Sequence, residues 1–367
     1  MKRLFLILLS IFLIPLTRAD ASSTVLLAEP THRLSSGIFF DNGLSDLISP
    51  TGRLGRLVFD KTNKSATWII DPALIEEISD LVDGYTYLDK DGKQVSAPPL
   101  VIADIWLNTV KNNSRRTTVL ALPYGNPSLS FLTKNAPGEL SLYRSLGQER
   151  LAALLGREVG QTSATSAGEL PRGTAVIYSS LRKPVATLNT LVTLREVEDL
   201  RLKLAQLLDT SLSKEVRSLL NNDLEGAVKK LDQKIRISGG NYTITSSRYE
   251  LPITIINRFD QQVNLDVRIF PTNSRIVVTS IPRVTVGAQS QIQIKVPISV
   301  IASGDTTLRI QLLTPRGERV GEIKRIPLRL AVISASTTWF ATSLALILLL
   351  AVITQSVRRV KRRRKIG

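Results

Sequence analysis

Asp71 closes a short apolar, β-rich run, Ala66-Thr67-Trp68-Ile69-Ile70, and stands directly before Pro72. Parallel α/β folds collect functional groups at the C-terminal ends of their strands. Set across a cleft from a second acid, Asp71 would suit glycoside hydrolysis, where one carboxyl group gives a proton and the other attacks or activates water. The second acid would come from Asp41, Asp46, Asp60 or Asp104, and the spacing does not choose among them. Tyr124 and Asn126 lie in the loop Pro123-Tyr124-Gly125-Asn126-Pro127 after the next apolar run, and are candidates to line the same cleft. A plainer reading stands beside this one. Asp caps the free N–H groups of a helix and Pro fits its first turn, while Gly and Pro dictate a turn at 123–127.

Other chemistry is largely excluded. The chain has one histidine, His32, and no cysteine. Zinc sites need several His or Cys ligands, and disulfides and thiolate chemistry need cysteine. No Gly-x-Ser-x-Gly elbow accompanies His32, so a Ser–His–Asp triad has no support. No Walker loop or Gly-x-Gly-x-x-Gly follows a strand. No metal and no cofactor is expected. Asn63, Asn112 and Asn241 begin sequons, which by themselves assign no chemistry.

The elements that would position these residues fall into three regions. From 22 to 183 the pattern is mixed α/β. Leu74, Ile75, Ile78, Leu81 and Val82 follow Asp71-Pro72 at helical spacing. A helix over 100–110, a strand at 117–122, a helix after Ser128 and a third strand at Thr174-Ala175-Val176-Ile177-Tyr178 continue the alternation. Apolar strands alternating with helices imply a parallel sheet. The units are too few for an eight-fold barrel, so a partial or degenerate parallel α/β barrel, or a small open sheet, is expected. Residues 184–238 read as a helical hairpin packing on that region, with Val216, Leu219, Leu220, Leu224, Ala227, Val228, Leu231 and Ile235 on one stripe. Residues 239–334 alternate apolar and polar with period two, as in Val263-Leu265-Val267-Ile269 and Leu308-Ile310-Leu312, and predict an immunoglobulin-like β-sandwich. The fold class is thus multidomain, α/β plus all-β.

The two ends state an address. Lys2 and Arg3, the apolar run Leu4 to Leu16 and Ala19-Asp20-Ala21 read as a signal peptide over 1–21. An uncleaved anchor is the alternative, opposed by Pro15 and the shortness of the run. From Trp339 to Val357 there is no charged residue, and residues 337–357 are expected to form one C-terminal transmembrane helix. Arg358, Arg359, Lys361, Arg362, Arg363, Arg364 and Lys365 follow in the tail 358–367 and mark its cytoplasmic side. The formal net charge is +17. The tail holds seven of these charges and the signal two, which leaves +8 for the exterior part. That remainder favours anionic polymers or lipid surfaces, and nucleic acid is not expected as a partner.

Several stretches resemble an uncharacterised actinobacterial family of membrane-anchored envelope proteins. They are Gly52-Arg-Leu-Gly-Arg-Leu, Ala66-Thr-Trp-Ile-Ile-Asp-Pro-Ala-Leu-Ile-Glu-Glu-Ile, Asp83-Gly-Tyr, Val119-Leu-Ala-Leu-Pro-Tyr-Gly-Asn-Pro and Leu251-Pro-Ile-Thr-Ile-Ile-Asn-Arg-Phe-Asp-Gln. The resemblance runs from about Gly37 to Val332. It implies a domain of unknown function, often encoded near a lipid II flippase, and hence a link to envelope assembly. Where relatives often carry Gly-Asp-Pro-Asp, this chain has Gly125-Asn126-Pro127-Ser128, so two acids are lost and the resemblance argues against catalysis. The expectation is a single-pass envelope protein acting as a scaffold or interaction module. Its bulk would be extracellular, its C-terminus cytoplasmic, and its partners the membrane and a cell-wall polymer or envelope protein. The alternative is a glycan-active hydrolase-like enzyme on a degenerate barrel.

Overall fold

The computed structural model describes residues 23–162, 168–331 and 343–355. The expected signal peptide, the basic tail and residues 332–342 lie outside them. The described chain forms two compact units, Met1–Leu170 with Asp209–Ser211, and Pro171–Leu208 with Leu212–Gly367.

The first unit runs β1 (Thr24–Leu27), α1 (Gly43–Ile48), α2 (Arg53–Phe59), β2 (Thr67–Ile70), α3 (Pro72–Asp80), β3 (Tyr85–Leu88), β4 (Gln94–Ala97), α4 (Val101–Ser114), β5 (Val119–Ala121), α5 (Leu129–Asn135), α6 (Pro137–Leu155) and β6 (Gly160–Gln161). Strands β1, β2, β5 and β6 make one parallel sheet in that order, and β3 and β4 form a separate hairpin. Strands laid side by side in chain order follow the winding of an α/β barrel; a doubly wound sheet reverses its order partway. The core is held by Leu27, Trp68 and Ile70 from the strands, with Leu54, Val58, Trp106 and Val110 from α2 and α4. Buried α4 residues recur as Ala103, Trp106 and Val110, and the Trp106 indole N–H donates to Leu54 O at 3.2 Å. The turn from α1 into α2 needs glycine. A Cβ at Gly52 would stand 2.1 Å from Asp46 O, and one at Gly55 1.8 Å from Ser49 O.

In the second unit α7 (Thr174–Asn189), α8 (Arg195–Gln206) and α9 (Lys214–Asp232) precede nine strands. These are β7 (Ile235–Ser238), β8 (Tyr242–Ile244), β9 (Arg248–Asn257), β10 (Val263–Pro271), β11 (Ile276–Val278), β12 (Val284–Val286), β13 (Gln291–Val300), β14 (Gly304–Leu313) and β15 (Arg319–Leu330). They form two sheets, β12-β10-β14-β15-β8 and β11-β13-β9-β7. Every pairing is antiparallel except β15 with β8. Leu251, Ile253 and Ile255 from one sheet and Leu308, Ile310, Ile326 and Leu328 from the other are buried, which makes a β-sandwich with apolar inner faces.

The structure differs from the sequence reading in three places. The strand expected at Thr174–Tyr178 is the start of helix α7. A five-residue apolar run cannot distinguish strand from helix; continued through Leu181, Val185 and Leu188, the buried positions step at helical spacing. Helix α7 also adds a third member to the expected hairpin, and all three helices group with the sandwich strands, with only 209–211 joining the α/β unit. Finally, the chain turns to strand at Ile235, before Gly239-Gly240, because β7 pairs with β9.

Among the described residues no helix is long and apolar enough to cross a membrane. Of the expected span 337–357, residues 343–355 are described and are helical, with Leu344, Leu346 to Leu350, Val352 and Ile353 exposed.

Candidate functional site

The C-terminal ends of β1, β2 and β5 meet at one residue. Asp71 follows β2 and caps α3, its Oδ1 accepting the Ala73 N–H at 3.0 Å. The same oxygen accepts the Gly125 N–H at 2.9 Å from the loop after β5. The Asp71 backbone N–H donates to Leu27 O of β1 at 2.8 Å. One side chain and its own amide therefore tie three strand ends together. The loop can come this close because Gly147 of α6 lies beneath it: a Cβ there would stand 3.0 Å from Tyr124 N and 3.1 Å from Leu122 O.

A ring of charged groups surrounds this tie. Glu76 and Glu77 project from α3, one turn beyond Asp71. The Tyr124 hydroxyl donates to Glu76 Oε2 at 2.6 Å, and Arg150 Nη1 donates to Glu76 Oε1 at 3.3 Å. The Arg150 guanidinium also lies 5.8 Å above the Tyr124 ring. Glu77 accepts from the Thr31 hydroxyl and, at 3.0 Å, from the His32 N–H. Arg33 bridges to Asp80 and stands 3.9 Å from Glu76. His32 Nδ1 is 2.7 Å from Asp41 Oδ1, and its Nε2 is 3.9 Å from Glu29. Asp209, buried in the segment that joins this unit, accepts from Ser211 N and Oγ at 2.9 and 2.6 Å.

Burial and neighbours set the charge states. Burial pushes the Asp71 carboxyl up to about 8 against the opposing pull of the Gly125 and Ala73 N–H groups, and the carboxylates of Asp209 and Glu77 push it the same way. Burial also opposes a charge on His32, but hydrogen bonds to Asp41 and Glu29 outweigh it and raise the imidazole to about 9. Asp41 is correspondingly held below the usual carboxylate range: its burial is overcome by the His32 hydrogen bond. Tyr124 is raised well above an ordinary phenol by burial and then by Glu76.

The residues singled out in the sequence are thus partly brought together. Asp71 and the Tyr124 loop share one site, although the contact runs through Gly125 N–H. Asn126 adopts a left-handed conformation (φ 46°), which Asn tolerates better than most residues, and its N–H donates to Pro123 O at 3.0 Å; its place is in the turn. None of the four proposed second acids is among the groups that act on Asp71. Asp41 serves His32, Asp60 caps Thr62 N–H at 2.9 Å, Asp104 accepts from Asn108 at 3.0 Å, and Asp46 lies in α1. The acids whose fields reach Asp71 are Asp209 and Glu77. The sequence reading also missed Glu76, Arg150 and the cluster role of His32-Arg33. The run Thr24-Val-Leu-Leu ahead of Pro30 was the available signal for β1, and with it the site of His32. Asp209 left no local signal. The basic residues 358–365 lie outside the described residues.

Residues 185–364 match the profile of a family of unknown function, DUF6049. A search of the curated proteins finds no match. Among solved structures, E. coli alpha-2-macroglobulin aligns at 16% identity over 26% of this chain, with a TM-score of 0.22, and the aligned part is only 6% of that much longer protein. WR4, a C. elegans MSP family member, aligns at 12% identity over 27% of this chain and 98% of its own, with a TM-score of 0.21. The PapD-like domain 7 of human CEP192 aligns at 12% identity over 28% of this chain and 87% of its own, with a TM-score of 0.22. At such scores these likenesses do not define the fold, which rests on the strand pairing described above.

Proposed function

We propose that this chain is a single-pass, membrane-anchored envelope protein that serves as a scaffold or interaction module. In this reading 1–21 directs export, 337–357 crosses the membrane, and Arg358 to Lys365 hold the C-terminus in the cytoplasm. An immunoglobulin-like sandwich would follow the partial barrel towards the anchor. The observation that carries the non-catalytic part is Asp71. It is 1% exposed, and its Oδ1 is already engaged by two backbone N–H groups. Glu76 and Glu77 are likewise held by Tyr124, Arg150, Thr31 and His32. A cluster so engaged braces loops. The exposed aliphatic helix at 343–355 supports the anchor. The resemblance to actinobacterial proteins encoded near a lipid II flippase points to wall assembly as the process served.

A second reading, a glycan-active enzyme, draws on one feature: an acid pushed up to about 8 near two further carboxyl groups. One experiment separates the two. Purified full-length chain and its Asp71→Asn variant are incubated with isolated cell-wall material, followed by sedimentation and analysis of the soluble fraction. Equal sedimentation of both with the wall, and no released fragments, is expected. Fragments released by the wild type and absent with Asp71→Asn would establish the hydrolase instead. Topology is tested with single cysteines in this cysteine-free chain. An impermeant maleimide should label Lys90→Cys in intact cells and Ile366→Cys only after lysis; the reverse pattern overturns the orientation.

A further inference from the structure

One end of the sandwich carries features that the fold does not require. Pairing brings four pieces of chain there. Gly304 lies opposite Leu330, Ile276 opposite Val300, Arg248 opposite Ser299 and Ile244 beside Leu330. The loops 245–247, 272–275 and 301–303 therefore gather around Ala331, which directly follows β15. The Ile301 N–H donates to Arg275 O at 2.7 Å, and the Ala331 N–H to Ile244 O at 2.8 Å.

Two large aliphatic side chains project from this end, Ile301 at 67% exposure and Val277 at 54%. Sandwich strands normally turn such residues inward, as Ile276 and Ile298 do here. Exposed arginines stand around them: Arg248, Arg329 and Arg275, whose Nη1 also donates to Ser303 O in the loop 301–303. Asp305 is the acid in their midst, opposite Arg329 on the neighbouring strand. Beside them lies an open hollow of about 560 Å³, lined by polar groups including Thr243, Asn273, Thr307 and Arg329. Aliphatic side chains next to arginines, over a polar recess, match the boundary between lipid headgroups and acyl chains. There the aliphatic groups leave water and the guanidinium groups meet phosphate. In sequence, Ala331 is followed within a few residues by the uncharged apolar stretch. Trp339 is eight residues beyond Ala331, which allows at most about 28 Å.

We propose that this end of the sandwich docks on an anionic lipid surface, with Ile301 and Val277 entering the headgroup boundary and Arg248, Arg275 and Arg329 set against lipid phosphates. The proposal rests on the reading that 337–357 crosses the membrane. It adds that the sandwich lies against the bilayer and is not merely tethered to it.

The absence of native cysteine allows a direct test. An environment-sensitive fluorophore is placed at Ile301→Cys, or at Arg316→Cys in the β14–β15 turn at the opposite end, in the full-length chain reconstituted into nanodiscs with doxyl-labelled lipid. Quenching at 301 is expected to exceed that at 316 several-fold in anionic discs. It should fall towards the level at 316 in purely neutral discs, and in a chain also carrying Arg248→Glu and Arg329→Glu. Equal, weak quenching at both positions in a chain that does enter the discs overturns the docking and leaves the anchor standing. A chain that never enters the discs overturns both. Shielding of the probe at 301 by a soluble polyanion, without quenching by lipid, overturns the lipid assignment in favour of a wall polymer.

Discussion

In the α/β unit the buried polar groups are mostly charged and gather at the C-terminal ends of parallel strands: Asp71, Glu77 and Asp209, with Glu139 on α6. In the strands and turns of the sandwich they are few and neutral, namely Asn257 in β9, Thr306 in β14 and Thr314 in the turn after it, and charge lies on the outside. The contrast follows from strand pairing. Antiparallel strands joined by tight turns satisfy their ends through the ladder and the turn itself. Parallel strands end in loops that run to helices, and the free N–H groups there need acceptors brought from elsewhere. Asp71 is such an acceptor, serving a helix N-terminus and a loop at once.

Removing that acceptor gives the largest effect. Asp71→Ala leaves the Ala73 and Gly125 N–H groups buried without a partner, each costing about 1–3 kcal/mol. A loss of about 3–5 kcal/mol in the α/β unit is expected, measured by urea unfolding followed through the fluorescence of Trp68 and Trp106, both in that unit's core. Asp71→Asn keeps an acceptor oxygen and should lose far less. Its deficit should shrink further, or reverse, as pH rises towards 8. A carboxyl raised from about 4 in the unfolded chain to about 8 in the fold weakens the fold progressively across that window. Equal losses for Asn and Ala would show that the two hydrogen bonds contribute little.

The nearest counterpart in the sandwich is Asn257, fully buried at the end of β9. Its Nδ2 donates to Gln261 O and Gly287 O, each at 2.8 Å, and its Oδ1 accepts the Phe259 N–H at 2.9 Å. Asn257→Ala should cost about 2–4 kcal/mol. Unlike Asp71→Ala, its effect should be independent of pH between 4 and 9, since no ionisable group is removed. Hydrogen exchange of the β9 and β10 amides would report it; a pH-dependent loss there would erase the distinction between the units.

How far each unit could be read in the sequence follows the same line. The sandwich strands declared themselves through period-two alternation, as at Val263 to Ile269, because one face is wet and the other dry. The helix after Asp71 was legible through Asp-Pro and the spacing of Leu74, Ile75 and Ile78. Thr174 to Tyr178 misled, because β-branched residues in a short run fit a strand, and only the longer register to Leu188 reveals the helix. Asp71 and the Tyr124 loop were legible as a pair because both follow apolar strands. That Gly125 N–H, and not the Tyr124 side chain, makes the contact was not, since backbone donors have no letter in the sequence. Asp209 reaches the site from a connection between two helices of the other unit, and no local pattern encodes such a return.

A smaller effect separates the units by pH alone. The His32 imidazole is raised from about 6.5 in the unfolded chain to about 9 in the fold by Asp41 and Glu29 against the cost of burial. Its contribution to stability is therefore fully present below 6.5 and is lost as pH rises through 9. His32→Gln should be less stable than wild type at pH 6, and the gap should narrow by pH 9.5, as read by urea midpoints. A gap that stays constant would mean that His32 acts through packing on Phe40, 5.6 Å away, and not through its charge.

The smallest effect is expected on the sandwich exterior. Lys295 on β13 and Glu250 on β9 are diagonal neighbours in the register and approach to 3.1 Å, and both are largely exposed. Two such side chains are screened by water and salt, and fixing them costs entropy, so a pair of this kind contributes about 0–1 kcal/mol. Glu250→Gln should shift the urea midpoint by no more than the error of the measurement at physiological salt. If it instead destabilised as much as His32→Gln at pH 6, charge on the sandwich surface would matter to its fold. The exposed charges of Arg248 and Arg329 near Ala331 could then no longer be separated from the stability of the sandwich.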